Sequence, residues 1–120
     1  MIFAKYNSSN VFLLGFSQGA FICFEYGLNM NQQIGGVFPI GGFTRENPEV
    51  HQSQIDTPLI IGHGNNDEVI DISSSENAYE YYTQIKKMNN VKLITYKGGH
   101  KIGLKYLKSI NLFIEQKKIK

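Results

Sequence analysis

The sequence has a single cysteine, Cys23, so no disulfide can form within the chain. This is compatible with a reducing compartment. An excess of charge of one sign is also missing, because 12 basic and 10 acidic residues give a net charge of only +2. A balance this close gives no support for binding to nucleic acid or to an anionic membrane.

Long hydrophobic runs are absent as well. The most apolar window covers residues 11–24, is interrupted by Ser17 and Gln18, and is shorter than the roughly 20 residues of a transmembrane helix. The N-terminus shows no signal-peptide pattern, because polar residues follow at positions 7–10. We therefore expect a cytoplasmic protein without a membrane span.

What the sequence does contain is typical of a globular α/β protein, with 42% hydrophobic residues and 12 glycines in 120 residues. Apolar runs predict strands at 11–15, 35–40, 58–63 and 91–96. Helical spacing predicts helices at 18–30, 73–88 and 102–114, and a polar loop covers 44–57. Alternating strands and helices predict one domain over residues 1–120, built on about four parallel strands with flanking helices.

Three details of this pattern are specific enough to check. The first strand is apolar throughout, which predicts burial on both faces. The first helix is apolar almost all round, which predicts a buried helix. Ser73 and Glu76 have the spacing of a capping box, which predicts that Ser73 caps the second helix.

Gly15-Phe16-Ser17-Gln18-Gly19 is a G-x-S-x-G motif between the first strand and the first helix. In this context the motif predicts a nucleophile elbow, a strained turn in which small residues at both glycine positions prevent a clash. The elbow would expose the Ser17 hydroxyl and place the Gln18 backbone N–H where it can stabilise an oxyanion. The plainer interpretation is a tight glycine turn with an incidental serine.

An acid and a histidine follow the third and fourth strands. Asp67 comes directly after a tight Gly-Asn-Asn turn, and His100 comes after two glycines. In parallel sheets, functional side chains gather at the carboxyl ends of the strands, so Asp67 could orient His100 and His100 could reach Ser17. Glu68 and Asp71 are the other acids nearby, and we expect them to be solvated or to cap the next helix.

The order Ser, Asp, His along the chain is that of α/β-hydrolases. The motifs around Ser17, the run 63–69 and Gly98-Gly99-His100 resemble the phospholipase/carboxylesterase family, which includes acyl-protein thioesterases. The resemblance implies Ser17 as nucleophile, His100 as general base and Asp67 as its orienting acid. It also implies hydrolysis of a small-molecule carboxylic ester or thioester through an acyl-enzyme, with no cofactor.

The resemblance covers only the C-terminal half of an α/β-hydrolase fold. About ten residues precede the first strand, so we expect the family's early strands and its early oxyanion loop to be missing. Loss of one oxyanion donor typically costs about 2.7–4 kcal/mol of transition-state stabilisation. The alternative is therefore an inactive or partner-dependent fragment. Its first strand would be an apolar edge, open to self-association or to a complementing N-terminal half.

The same residues are also compatible with other functions. A peptidase of the same fold would use the same three residues. A metal site could combine His63, Asp67 and His100, although their spacing matches no known metal motif. We expect His63 to pack and hydrogen-bond at a strand end, His51 to be exposed, and Cys23 to pack in the core.

The tyrosine cluster at positions 79–82 could serve as a ligand platform. We expect instead that Tyr82 lies in the core and that Tyr79 and Tyr81 are partly exposed on the helix.

Overall fold

The computed structural model describes residues 7–119, and residues 1–6 and 120 of the predicted domain lie outside this range. Within it, four strands form one sheet in the order β1-β2-β3-β4, with every neighbouring pair parallel. The strands are β1 (Phe12–Phe16), β2 (Gly36–Ile40), β3 (Leu59–Gly64) and β4 (Val91–Tyr96). The predicted α/β class and the four parallel strands are confirmed.

Helices connect and cover these strands. They are α1 (Gln18–Ile22), α2 (Ser73–Glu80) and α3 (Leu104–Ile119). Both α1 and α2 continue into a π-helical turn, at Cys23–Gly27 and Tyr81–Ile85 respectively. Short 3-10 turns lie at Ser8–Asn10 and Gln52–Gln54. The last helix thus begins two residues later than predicted, because Ile102 and Gly103 belong to the preceding loop.

The hydrophobic core lies on both faces of the sheet, because β2 and β3 are buried along their whole length. Successive residues of these strands point to opposite faces. One cluster joins Val37, Leu59 and Ile61 to the helices after β1 and β3. The other joins Phe38, Ile40 and Ile60 to α3, whose main contacts there are Tyr106 and Ile110. Two-sided burial explains why the strands are continuous apolar runs.

The expected burial of the first strand and first helix is wrong in part. Within residues 7–119, β1 pairs only with β2 and forms one edge of the sheet. Leu14 is therefore 50% exposed. The first helix also presents one side to solvent, where Ile22 is 55% and Tyr26 is 65% exposed.

The predicted capping box of α2 is also wrong. Ile72 occupies the N-cap position and makes no side-chain capping bond. Instead, Asp71 Oδ2 accepts a hydrogen bond from the Ser73 N–H at 3.0 Å. A carboxylate at a helix N-terminus is stabilised by the unpaired N–H groups there, so Asp71 has the capping role foreseen as one of its options.

The polar segment before β3 contains buried and half-buried side chains that a surface loop would expose. Gln54 is completely buried, and its Nε2 donates to the carbonyl oxygens of Met30 and Gln32. His51 is half-buried instead of exposed, and its Nδ1 accepts from the Ser53 N–H at 3.1 Å. Internal hydrogen bonds allow these polar side chains to be buried.

In the part of the chain that the structure covers, no helix is both long and apolar enough to cross a bilayer.

Two buried tyrosines provide a test of the core. Tyr82 and Tyr106 are both fully buried, but the Tyr106 hydroxyl donates to the Ile60 carbonyl, whereas the Tyr82 hydroxyl has no partner among residues 7–119. We expect Tyr106→Phe to lower the free energy of unfolding by about 1 kcal/mol, because it leaves a buried carbonyl unpaired. Tyr82→Phe should leave that free energy unchanged or raise it.

Urea denaturation of the two variants measures this difference directly. Since each substitution removes one hydroxyl from a fully buried tyrosine, each variant is the control for the other. An equal loss of stability in both variants would contradict the assigned hydrogen bonding.

Candidate active site

A strained turn between β1 and α1 presents Ser17. Its backbone has φ 60° and ψ −115°, a conformation that non-glycine residues rarely adopt. The Ser17 N–H donates to the Ile40 carbonyl of the neighbouring strand at 2.9 Å, which anchors the turn on the sheet. Strain of this kind persists only where the surrounding structure fixes it, and it is concentrated at functional sites.

Glycines around Ser17 make the turn possible, because they have no side chains. A Cβ atom on Gly15 would lie 2.1 Å from the Gly19 carbonyl oxygen, and one on Gly42 would lie 2.3 Å from the Ala20 Cβ. The expectation that Gly19 also supplies room is wrong, because a Cβ there would meet nothing within 4 Å. Of the two motif glycines, Gly15 is therefore the one that the close contact requires.

Gln18 follows Ser17 in the chain and is the first residue of α1, so its backbone N–H lies at the N-terminus of that helix. The carbonyl of Ser17 receives the first helical bonds, from Ala20 at 3.0 Å and Phe21 at 3.4 Å. An N–H group at the first helical position has no carbonyl partner within its own helix. The Gln18 N–H therefore has the placement expected for an oxyanion donor.

The loops after β3 and β4 are joined to each other. The Asn65 N–H donates to the Tyr96 carbonyl at 2.8 Å, and the Asn66 N–H donates to the Gly98 carbonyl at 2.9 Å. Gly64 allows this approach, because a Cβ atom there would lie 2.4 Å from the Gly99 oxygen. Asp67 and His100 stand on these two loops, so the same contact brings both side chains to one end of the sheet.

The three predicted side chains meet in one chain of hydrogen bonds. His100 Nε2 lies 3.0 Å from Ser17 Oγ, and His100 Nδ1 lies 2.7 Å from Asp67 Oδ2. A carboxylate only accepts, so Nδ1 carries a proton and Nε2 of the neutral ring is free to accept from the serine hydroxyl. This geometry is that of a nucleophile, a base and an acid that orients the base.

Asp67 is held as a buried carboxylate. Its side chain is 1% exposed, and Oδ1 accepts from the Val69 and Ile70 N–H groups at 2.9 and 2.8 Å. Burial by itself raises the pKa of Asp67, but the bonds from His100, Ile70 and Val69 outweigh it and lower the pKa below the ordinary 3.8. Asp67 is therefore ionised at neutral pH.

His100 lies at the mouth of the site, with its side chain 18% exposed. Its ring packs on the Phe16 ring with centroids 4.7 Å apart. A cleft of about 640 Å³ opens beside it, bordered mainly by the two joined loops and including Glu68, Val69 and Lys97. Substrate therefore has direct access to the histidine.

The remaining candidates have other places. Glu68 is exposed, as expected. Cys23 is buried in the core, and burial raises the pKa of its thiol to about 11, which makes it a poor nucleophile. Tyr82 is buried, Tyr81 is partly exposed and Tyr79 is 37% exposed, so the tyrosine cluster is distributed as expected.

The metal interpretation of His63, Asp67 and His100 is not supported. Among residues 7–119, no three His, Cys, Asp or Glu side chains are placed to hold a metal ion. His63 Nε2 lies 2.7 Å from the Ile70 carbonyl. A carbonyl only accepts, so this nitrogen carries a proton and has no lone pair for a metal.

Sequence reasoning missed several supporting residues. Phe16 was seen only as a motif position, and Gly41 and Gly42 were not singled out although they crowd the site. Two consecutive glycines at the carboxyl end of a strand could have indicated that these positions are crowded. His63 packs and hydrogen-bonds at the end of β3, as expected. Its contact with the triad acid was missed, because Nε2 also lies 3.3 Å from Asp67 Oδ2.

A family model described as Phospholipase/Carboxylesterase matches residues 3–118. Acyl-protein thioesterase 1 of Kluyveromyces lactis is 26% identical over 113 residues, which are 89% of this chain and 50% of that protein. Acyl-protein thioesterase 1 of Candida albicans is 32% identical over 112 residues, covering 84% of this chain and 47% of that protein. This chain thus spans about half the length of these curated relatives.

Solved structures agree with the fold. Arabidopsis thaliana SOBER1 superposes with a TM-score of 0.81 at 24% identity, over 93% of this chain and 55% of that one. A phospholipase/carboxylesterase from Dyadobacter fermentans superposes with a TM-score of 0.74 at 25% identity, over 92% and 54%. The four parallel strands of this chain thus match part of the α/β-hydrolase architecture of esterases.

Proposed function

This chain belongs to the phospholipase/carboxylesterase family, and from that premise we propose that it is a serine hydrolase of carboxylic esters or thioesters. The observation that carries the proposal is the continuous hydrogen-bonded chain from Ser17 through His100 to Asp67. Three side chains from three separate loops converge within 3.0 Å of their neighbours. A tight glycine turn with an incidental serine would require none of these contacts.

The proposed reaction has two stages. In the first, His100 Nε2 takes the proton of Ser17 as Oγ attacks the substrate carbonyl carbon, and Asp67 stabilises the imidazolium that forms. The negative charge on the carbonyl oxygen faces the Gln18 N–H. The bond to the leaving oxygen or sulfur then breaks, and His100 returns the proton to that atom. In the second stage, His100 Nε2 takes a proton from water as the water oxygen attacks the acyl carbon. The bond to Ser17 Oγ then breaks, the acid is released, and His100 returns the proton to Oγ.

The choice of substrate class follows the family. Relatives named acyl-protein thioesterase favour a thioester, and the family description favours an ester. Thiolates and alkoxides are both better leaving groups than an amide nitrogen, which must be protonated before it departs. The peptidase alternative therefore has less support, and the assembled triad favours the hydrolase over an inactive fragment.

We also propose that the free edge of β1 pairs with another polypeptide segment. Within residues 7–119 this edge has no neighbouring strand, and it carries Leu14 at 50% exposure. An apolar edge strand is a template for strand addition. The relatives, about twice as long, contain chain that could fill such a place and supply the second oxyanion donor.

A fluorophosphonate probe tests the hydrolase, because it labels serines that a base activates. We expect the 120-residue chain to be labelled and Ser17→Ala to be unlabelled. Ser53→Ala is the matched control, since Ser53 Oγ also contacts a histidine, at 2.8 Å from His51 Nδ1, but lies outside the elbow. Its labelling should equal that of the unaltered chain, as measured by intact mass.

Circular dichroism on the same samples decides the meaning of a negative result. A chain that is folded but unlabelled would contradict the proposal that these residues alone form a working triad.

Sedimentation velocity at increasing concentration tests the β1 edge. In purified protein the segment available to this edge is a second copy, so we expect association that Leu14→Lys weakens by placing charge on the edge. Leu112→Lys is the control, because Leu112 is similarly exposed at 59% but lies on α3. A chain that stays monomeric at every concentration, or equal effects of the two variants, would refute the edge pairing.

A further inference from the structure

His63 is a fully buried histidine that contacts the acid of the triad. Its Nε2 lies 2.7 Å from the Ile70 carbonyl and 3.3 Å from Asp67 Oδ2, and its Nδ1 lies 2.5 Å from Ser75 Oγ. The same Asp67 oxygen receives His100 Nδ1. Two histidines therefore face one carboxylate oxygen, and only one of them has so far been given a role.

The hydrogen-bond partners define the tautomer of the neutral His63 ring. The Ile70 carbonyl can only accept, so Nε2 carries a proton. In the neutral ring Nδ1 must then accept, and the Ser75 hydroxyl is the donor that faces it. Ser75, at the third position of α2, thus holds His63 in the form whose N–H points at the loop of Asp67.

The contact with Ile70 matters because that residue links His63 to Asp67. Its N–H donates to Asp67 Oδ1 at 2.8 Å, while its carbonyl accepts from His63. The turn from Asp67 to Ile70 is therefore held by two hydrogen bonds, one from His63 and one to the Asp67 carboxylate. His63 Nε2 also lies 3.3 Å from Asp67 Oδ2, so a second N–H lies beside the carboxylate oxygen that binds His100.

We propose that His63 and Ser75 are positioning residues that hold Asp67 in the orientation in which it binds His100. The inference rests on the proposed function for its consequence in catalysis, but the geometry that it concerns exists without substrate. It extends the chain of polar contacts to five residues, which run from Ser75 on α2 through His63, Asp67 and His100 to Ser17. Three of these links are hydrogen bonds, and the link from His63 to Asp67 is a 3.3 Å contact.

Substitutions that keep or remove the Nε2 donor separate positioning from simple packing. In His63→Gln the amide N–H can take the place of Nε2, whereas in His63→Asn the shorter amide can reach Ser75 but not Ile70. The two amides also differ by one buried methylene, which changes the free energy of unfolding, so the readouts that decide are those that report on His100. His51→Asn is the matched control, since His51 also contacts a serine hydroxyl but lies in the loop before β3.

The first readout is the NMR resonance of the His100 Nδ1 proton in the 120-residue chain, assigned by its loss in His100→Gln. A strong bond to a buried carboxylate shifts this proton downfield. We expect the resonance to be retained in His63→Gln and His51→Asn and to be shifted or lost in His63→Asn. An unchanged resonance in folded His63→Asn would overturn the proposal.

The second readout is the rate of fluorophosphonate labelling. We expect about a tenfold decrease in His63→Asn, the loss that corresponds to one hydrogen bond of about 1.4 kcal/mol, and recovery in His63→Gln. If the unaltered chain is not labelled, the proposed function fails, while the resonance still decides the positioning role.

Ser75→Ala keeps the proposal testable where His63→Asn does not fold. Removal of the hydroxyl frees Nδ1 to take the proton, so the His100 resonance and the labelling rate should change in the same direction as in His63→Asn. A folded Ser75→Ala chain with both readouts unchanged would overturn the positioning role.

Discussion

The close contact between the loops after β3 and β4 is the constraint on which the site depends. Gly64 has no side chain, so the Gly98 and Gly99 carbonyls can approach to distances that a Cβ atom would forbid. Two backbone hydrogen bonds then join the loops. Because Asp67 and His100 stand on opposite sides of this contact, their 2.7 Å hydrogen bond is a consequence of backbone packing. Flexible side chains alone could not hold it, since ordering them costs entropy.

Two unfavourable features are offset at the same end of the sheet. Ser17 adopts a strained backbone conformation, which costs on the order of 1–3 kcal/mol, and the Asp67 carboxylate is almost completely buried. Neighbours compensate each cost: the bond from Ser17 to Ile40 fixes the turn, and N–H groups from Val69 and Ile70 surround the carboxylate. We regard this concentration of strain and buried charge as further support for a catalytic role.

Sequence reasoning predicted the strands and the convergence of Ser17, Asp67 and His100, because both follow from local rules: apolar runs define strands, and parallel strands end at one edge. It failed where the shape of a turn or a contact between distant segments decides. Ser73 and Glu76 matched a capping box, but the preceding turn delivered Asp71 to the helix end instead. Gln54 was placed in a polar loop, but carbonyls more than 20 residues away along the chain satisfy its amide in the interior. The contact of His63 with Asp67 likewise depends on a turn whose shape no motif specifies.

Pre-steady-state hydrolysis of p-nitrophenyl acetate tests most directly whether Ser17, His100 and Asp67 act as one unit. We expect a burst of p-nitrophenolate of one equivalent per folded chain, with the acetyl group recovered on the peptide that contains Ser17. The burst should be lost in His100→Ala, because the serine proton then has no acceptor. A burst that survives in His100→Ala, or an acetyl group recovered on another residue, would show that the three residues do not act as one unit.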